Sequence, residues 1–252
     1  MDRRKATLLG LRPFIARARE FSGWDLDTAE PRPLEPGPPW DYEAIARDHL
    51  ARAEAVLDLG TGGGEVLARI LGGPRRRVVA TEEWEINAPL ARHRLTPLGV
   101  DVVRCSSLEL PFPDGAFDLV LDRHEALDPG ETVRVLRPGG SVVTQQVDGD
   151  SWPELHTFFP NKQDFGDHYA VYRAAFESAG LAVRGARHSR RAAWATLGDV
   201  VFMLLIAPWE IPGFDPERDI DALLALEDAC GTAEGIVLTE SRYLLVADKP
   251  PV

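Results

Sequence analysis

Cysteine is nearly absent. Cys105 and Cys230 are the only two among 252 residues, distant from each other and part of no C-x-x-C pair. That argues against a disulfide-stapled secreted scaffold and a thiolate metal centre, and it suits a reducing cytoplasm. Lysine is scarcer than its share of cationic residues would suggest, three against 25 arginines. None follows the glycine cluster at 60–64, so the phosphate-binding loop with its required lysine is missing. No apolar run approaches the ~20 residues a bilayer span needs; Val200–Ala207 falls far short. The apolar stretch before Arg12-Pro13 is too short for a signal-peptide core, so a cytoplasmic protein is expected. Positive charge is also in deficit. A formal net charge of −12 argues against a polyanionic partner unless basic residues segregate onto one face. The densest basic run, Arg75-Arg76-Arg77, precedes a strand and is expected as a solvated loop at the edge opposite a ligand crevice.

Against these absences stands Val56-Leu-Asp-Leu-Gly-Thr-Gly-Gly-Gly-Glu65, a buried strand turning through glycines into a helix. The helix carries Glu65 where the dinucleotide fingerprint has its third glycine. Free N–H groups at a helix start attract phosphate, and a carboxylate there opposes it. The expected ligand is a nucleoside without phosphates. About twenty residues on, Arg77-Val-Val-Ala-Thr-Glu82 reads as a second strand ending in an acid, the position from which a carboxylate grips ribose hydroxyls. Then follow Val102-Val-Arg-Cys-Ser-Ser107, Leu110-Pro-Phe-Pro-Asp-Gly-Ala-Phe-Asp118 and Arg134-Val-Leu-Arg-Pro-Gly-Gly140.

That ordered set resembles the class I S-adenosylmethionine-dependent methyltransferases, in particular the small-molecule, methyltransferase type 11-like group, over roughly residues 50–190. The resemblance implies an α/β, Rossmann-like fold: a seven-stranded, mostly parallel sheet with helices on both faces, closed by a strand at Tyr243–Lys249. It implies S-adenosyl-L-methionine as cofactor and no metal. Asp58 would help hold the methionine ammonium, with Gly60, Thr61, Gly62 and Gly64 letting the backbone approach the ligand. Glu82 would bind the ribose and Trp84 cover the adenine face, with Ser106, Ser107 and Leu108 at the adenine edge. The group often has an acid where Ser106 stands, a departure that bears on adenine recognition. Arg123 is expected beside the cofactor. His124, at the end of the fourth strand, is the first candidate for a general base, because an ordinary histidine titrates near neutral pH; His156 and His168 are rivals.

Alternating strands near 55–59, 77–81, 101–105, 117–121 and 141–147 predict a parallel sheet covered on both faces, with a sixth strand at 181–190. Residues 1–49 form an N-terminal cap segment and lead-in helix, with a helix at 14–21 and an extended proline run at 31–39. Residues 50–252 form the methyltransferase-like domain, with a cap insertion at about 194–235. Five of the six tryptophans, Trp24, Trp40, Trp152, Trp194 and Trp209, fall outside the repeating core. They suggest an apolar lid over a small acceptor or, more simply, the cap's own core. Methyl transfer to a small molecule is the expected activity. The alternatives are a non-methylating use of the same cofactor such as cyclisation, a nucleic-acid methyltransferase, and a non-catalytic cofactor-binding protein. Neither the acceptor nor the oligomeric state is readable.

Overall fold

The computed structural model describes residues 2–24, 30–72 and 76–251. Helix α1 (Arg3–Glu20) precedes a two-residue strand β1 (Arg32–Pro33), α2 (Tyr42–Leu50), β2 (Ala55–Leu59), α3 (Glu65–Ile70), β3 (Arg77–Thr81), α4 (Asn87–Leu95) and β4 (Val100–Val103). There follow β5 (Phe117–Arg123), α5 (Pro129–Val135), β6 (Leu136–Val147), α6 (Leu155–Phe158), α7 (His168–Ser178) and β7 (Ala182–Trp194). The chain closes through α8 (Leu197–Ile206), α9 (Ile220–Cys230), β8 (Gly231–Thr232) and β9 (Gly235–Asp248).

One sheet runs in the order β1-β7-β9-β6-β5-β2-β3-β4, with β8 paired to β9. Strands β2 to β6 pair in parallel, and β9 is antiparallel to both β6 and β7. The seven long strands thus form the expected Rossmann-like sheet. Strand order reverses between β2 and β5, which opens a crevice beyond their carboxyl ends where ligands of such sheets bind. Continuous Val and Leu in β2, β3 and β5 fit strands covered on both faces. One face packs on α2, α3 and α4 through Ala46, Leu67 and Leu95. The other packs on α7 through Tyr172 and Phe176.

A third core lies in the cap. Leu11 of α1 joins Trp152, Trp194, Val201 of α8 and Leu223 of α9 there. A reciprocal capping box between Thr196 and Asp199 starts α8, satisfying backbone N–H groups that a helix end otherwise leaves free. Trp152 and Trp194 therefore supply cap core. No helix among the described residues is long and apolar enough to cross a membrane.

Several boundaries differ from the sequence reading. Helix α1 begins at Arg3 instead of Phe14 and continues through Pro13; the carbonyl that Pro13 cannot bond belongs to Leu9, an exposed residue, so the lost bond falls on the solvent side. The proline run is extended, and its Arg32-Pro33 pairs with Ala193 and Ala192 of β7, an edge position suited to a residue without an N–H. Together with β8 this brings the sheet to nine strands. Arg75 lies outside the described residues, while Arg77 opens β3 with its guanidinium 5.2 Å from the Phe117 ring centroid.

Helix α1 meets α8 where Gly198 leaves room for a ring: a Cβ at Gly198 would stand 2.3 Å from Phe14 Cδ2. Gly198→Ala should therefore cost about 1–3 kcal/mol through overpacking, read as a lowered Tm, and cost less in combination with Phe14→Ala. A raised Tm, the usual effect of Gly→Ala within a helix, would show that α1 does not seat there.

Candidate functional site

The turn after β2 needs its glycines. Gly60, Gly62 and Gly64 have φ of 55, 62 and 81°, in the left-handed region that side chains disfavour. Strand β3 holds the turn: Gly60 N donates to Thr81 Oγ1 at 3.2 Å, Thr61 N to the Thr81 carbonyl at 2.8 Å, and Gly62 N to Glu82 Oε2 at 2.7 Å. Glu82 Oε1 accepts from Trp84 N at 2.8 Å. Each Glu82 oxygen keeps a second lone pair for a hydroxyl, so the expected ribose role remains open to it. Glu65 is not a free charge. Its carboxylate pairs with Arg94 of α4 at 2.5 Å, and Arg94 also donates to the Gly63 carbonyl. The exclusion of phosphate read from Glu65 alone is thereby weakened, because the repelling charge is neutralised from a helix distant in sequence.

Carboxylates crowd this edge. Asp58 at the end of β2, Glu82 after β3, and Asp122 and Glu125 at the end of β5 act on one another electrostatically. Burial pushes the Asp58 carboxyl up to about 7, with Glu82 adding its repulsion. Thr61 lies close enough to oppose that rise, yet its buried hydroxyl completes no hydrogen bond. Burial, then Glu82, raises Glu125 to about 7 as well. Burial raises Glu82 too, against backbone donors from Trp84, Gly62 and Glu83. Asp122 is fully buried and shifted well up, by burial first. Its Oδ2 accepts from Thr144 at 2.6 Å and Gln146 at 2.5 Å, while Oδ1 has no partner. A cluster of partly protonated acids with an unpaired buried oxygen favours a cationic ligand.

Two side chains lie against the turn. A Cβ on Gly60 would meet Glu125 Cγ at 2.3 Å, and one on Gly62 would meet Trp24 Cδ1 at 2.7 Å. Gly23 N donates to Asn87 Oδ1 at 2.9 Å, anchoring the Trp24 segment at the start of α4. Trp24, Trp84 and Trp209 form a triangle with ring centroids 6.0–6.4 Å apart. The N-terminal segment and the 194–235 insertion thus meet over the glycine turn. On the expected adenine side, Ser107 is buried and Leu108 exposed after β4, and Leu108 N donates to Ser106 Oγ at 3.3 Å.

His124 follows β5 with φ of 64° and keeps surface open to the crevice although protein surrounds it. Trp40 Nε1 donates to Gln145 Oε1 at 2.8 Å, and Gln145 Nε2 lies 3.3 Å from His124 Nε2. An indole N–H only donates, so the Gln145 oxygen faces Trp40 and its NH₂ donates to His124. The ring is then neutral with its proton on Nδ1. Desolvation, reinforced by Arg123 and Arg242, agrees by holding its pKa well below 6.5. Against the ordinary histidine expected, the ring has a lowered pKa, and the lone pair a base would use is directed at Gln145. Rival His156 is exposed on α6, and rival His168 stacks on Tyr172 at 5.4 Å. Arg123 acts on Tyr42 on one side and on His124 and Arg242 on the other. Thr81, Asp122, Gln145 and Trp24 complete the site without a local motif to announce them.

Residues 56–140 match a family model described as a methyltransferase domain. The chain is 30% identical over 131 residues to a ubiquinone/menaquinone biosynthesis C-methyltransferase of Cupriavidus metallidurans, covering 48% of this chain and 54% of that protein. It is 34% identical over 145 residues to a demethylmenaquinone methyltransferase of Thermus thermophilus, covering 53% and 60%. The chain thus spans little more than half the length of these curated relatives. A functionally unknown protein from Deinococcus radiodurans shares the fold with a TM-score of 0.61 at 20% identity, over 94% of this chain and 98% of that one.

The raised acids carry a signature in stability. Because Glu125 titrates near 7 when folded against 4.5 ordinarily, the folded chain holds its proton across that window. The group's contribution is present below about pH 4.5 and lost as pH rises through about 7. His49 and His124, both shifted down, act in the opposite sense, so the difference between proteins is the clean readout. Glu125→Gln should gain Tm over wild type by a margin that widens from pH 5 to pH 8. A margin independent of pH would contradict the placement of Glu125.

Proposed function

We propose that this chain, whose residues 56–140 match a methyltransferase domain, is a class I enzyme that transfers a methyl group from S-adenosylmethionine to a small-molecule acceptor. The observation that carries this reading is the glycine turn hydrogen-bonded to Glu82 and ringed by acids, Asp58 and Glu125 among them, whose ionisation burial and mutual repulsion oppose. Such a surroundings suits a ligand bearing an ammonium and a sulfonium. When bound, the cofactor supplies an electrophilic methyl carbon on sulfur.

The residues divide the remaining work. Asp58, with Thr61 beside it, faces the ammonium, and the bare backbone of Gly60 and Gly62 allows close approach as Glu125 and Trp24 give way, while Gly64 packs the turn onto Leu95 of α4. Glu82 holds the ribose hydroxyls while the Gly62 and Trp84 N–H groups keep its carboxylate aimed. Trp84 covers the adenine, edged by Ser106, Ser107 and Leu108. Trp24 and the insertion's Trp209 close the crevice above the turn and exclude water, which strengthens alignment of the acceptor. His124, held neutral, lines the acceptor side; it takes up a proton only if the acceptor displaces the Gln145 amide. Relatives named for quinone biosynthesis support a small organic acceptor, and the net charge of −12 weighs against a nucleic acid.

Glu82→Ala removes charge-assisted hydrogen bonds and should weaken S-adenosylhomocysteine binding by about 10- to 100-fold in calorimetry. Trp24 next to the turn should report the same binding as a change in tryptophan fluorescence, absent in Trp24→Phe. Tighter binding of NAD than of S-adenosylhomocysteine, or an unchanged affinity in Glu82→Ala, would overturn the assignment. Formation of S-adenosylhomocysteine without a methylated product would replace transfer by another reaction on the same cofactor.

A further inference from the structure

Across the crevice from the acids the charge reverses. Arg123 extends the side of β5 on which Leu119 and Leu121 lie, and Arg242 extends the side of β9 on which Leu244 and Val246 lie. Those four leucines and valines belong to one packed cluster, so alternation puts both arginines on the same sheet face. Register carries the face onward: Val147 of β6 pairs with Arg242, Arg242 with His188 of β7, and Glu240 with Arg190. Arg123 is in register with Gln145 and through it with Leu244, so Arg242 stands two strands across and two residues along, roughly 12 Å by ordinary strand dimensions, a gap that two guanidinium side chains reach across.

The charges there do not cancel. Glu240 is shared, accepting from Arg190 at 3.1 Å and standing 3.6 Å from Arg242. The other nearby acid, Glu210, is committed to Lys162 at 2.9 Å. Arg190 and Arg242 therefore share the one Glu240 carboxylate, while Arg123 shares its face with Asp58 of the neighbouring β2, whose carboxyl burial raises to about 7, in a chain whose net charge is strongly negative. The three act on one another or on the same neighbours: Arg190 and Arg123 both disfavour the charge on Arg242, and Arg123 and Arg242 both disfavour a proton on His124. Keeping like charges together in a partly buried place costs stability and calls for a counter-ion. Trp40 walls this place through its bond to Gln145 and its contact with His188.

We infer that the acceptor is an anion, a small aromatic or otherwise apolar acid whose carboxylate or phosphate docks between Arg123 and Arg242 beside the uncharged face of His124. This rests on the proposed methyl transfer and adds the acceptor's chemical class. The crevice is then bipolar: acids at the ends of β2, β3 and β5 take the cationic donor, and arginines on β5, β7 and β9 take the anionic acceptor. Guanidinium groups suit this task because their planar forks meet carboxylate and phosphate oxygens two at a time.

The test titrates benzoate, benzamide and inorganic phosphate separately into the full chain saturated with S-adenosylhomocysteine, followed by ligand-observed NMR. Benzoate or phosphate should bind at least about ten-fold more tightly than neutral benzamide, the stronger of the two anions identifying the acid group. Arg123→Gln, an exposed position, should lose about ten-fold or more of that affinity, and Arg123→Lys, which keeps the charge but not the fork, should fall between wild type and that variant. Equal binding of benzoate and benzamide, no anion binding at millimolar concentration, or anion binding unchanged in Arg123→Gln would each overturn the inference. Failure of S-adenosylhomocysteine to bind wild type would instead strike the methyl-transfer reading, and the anion series on the ligand-free chain would still decide the role of Arg123.

Discussion

The contact on which the site depends is the hydrogen bond from Gly62 N to the Glu82 carboxylate. It joins the turn after β2 to the end of β3, and the left-handed glycines that make it possible keep the turn itself bare of side chains, with Glu125 and Trp24 lying against it. Parallel pairing then determines the rest. With β2, β3 and β5 side by side and pointing the same way, their carboxyl ends lie together, and so do the acids each strand carries there. Asp58, Glu82, Asp122 and Glu125 come from three strands and would repel one another in isolation. The fold tolerates them by partial protonation and by bonds such as those from Thr144 and Gln146 to Asp122, a standing destabilisation that a cation relieves.

The other half of the sheet is antiparallel, and this difference matters for chemistry. Strands β7 and β9 form a long antiparallel pair whose register brings Arg190, Glu240, Arg242 and His188 onto the face that β5 continues with Arg123. The crevice thereby spans two electrostatic environments within one sheet. His124 lies at their boundary, its protonation opposed first by desolvation and then by the arginines, and pinned by a donor chain from Trp40 through Gln145. Above it the cap is anchored by α1 on α8 and by Gly23 on Asn87, so the aromatic triangle stands over the glycine turn.

The parts that were readable from sequence are those in which local spacing carries the geometry. The strand–glycine–helix unit at 56–65 and the acid at 82 are close in sequence to the elements that position them, and the structure brings them together through Gly62. What was not readable depends on pairing between distant segments. Nothing near Glu65 signals Arg94, twenty-nine residues on, yet that pair changes what Glu65 means. The partner of His124 is Gln145 on the neighbouring strand, so an ordinary histidine was expected where a neutral, engaged one stands. The arginine cluster needs the β7–β9 register, which no local pattern encodes. Helix α1 was underestimated because Pro13 reads as a helix breaker when its lost hydrogen bond falls on an exposed carbonyl.

The central claim is that the acids around the glycine turn await a cationic cofactor, and proton counting tests it most directly. Calorimetry of S-adenosylmethionine binding at about pH 6.5, where an α-amino group is already charged, is to be repeated in buffers of different ionisation enthalpy. Asp58 and Glu125, both near 7 in the ligand-free chain, should ionise as the cation arrives, giving a net release of protons that shrinks in Glu125→Gln. Binding with no proton release, or with net uptake, would contradict the account.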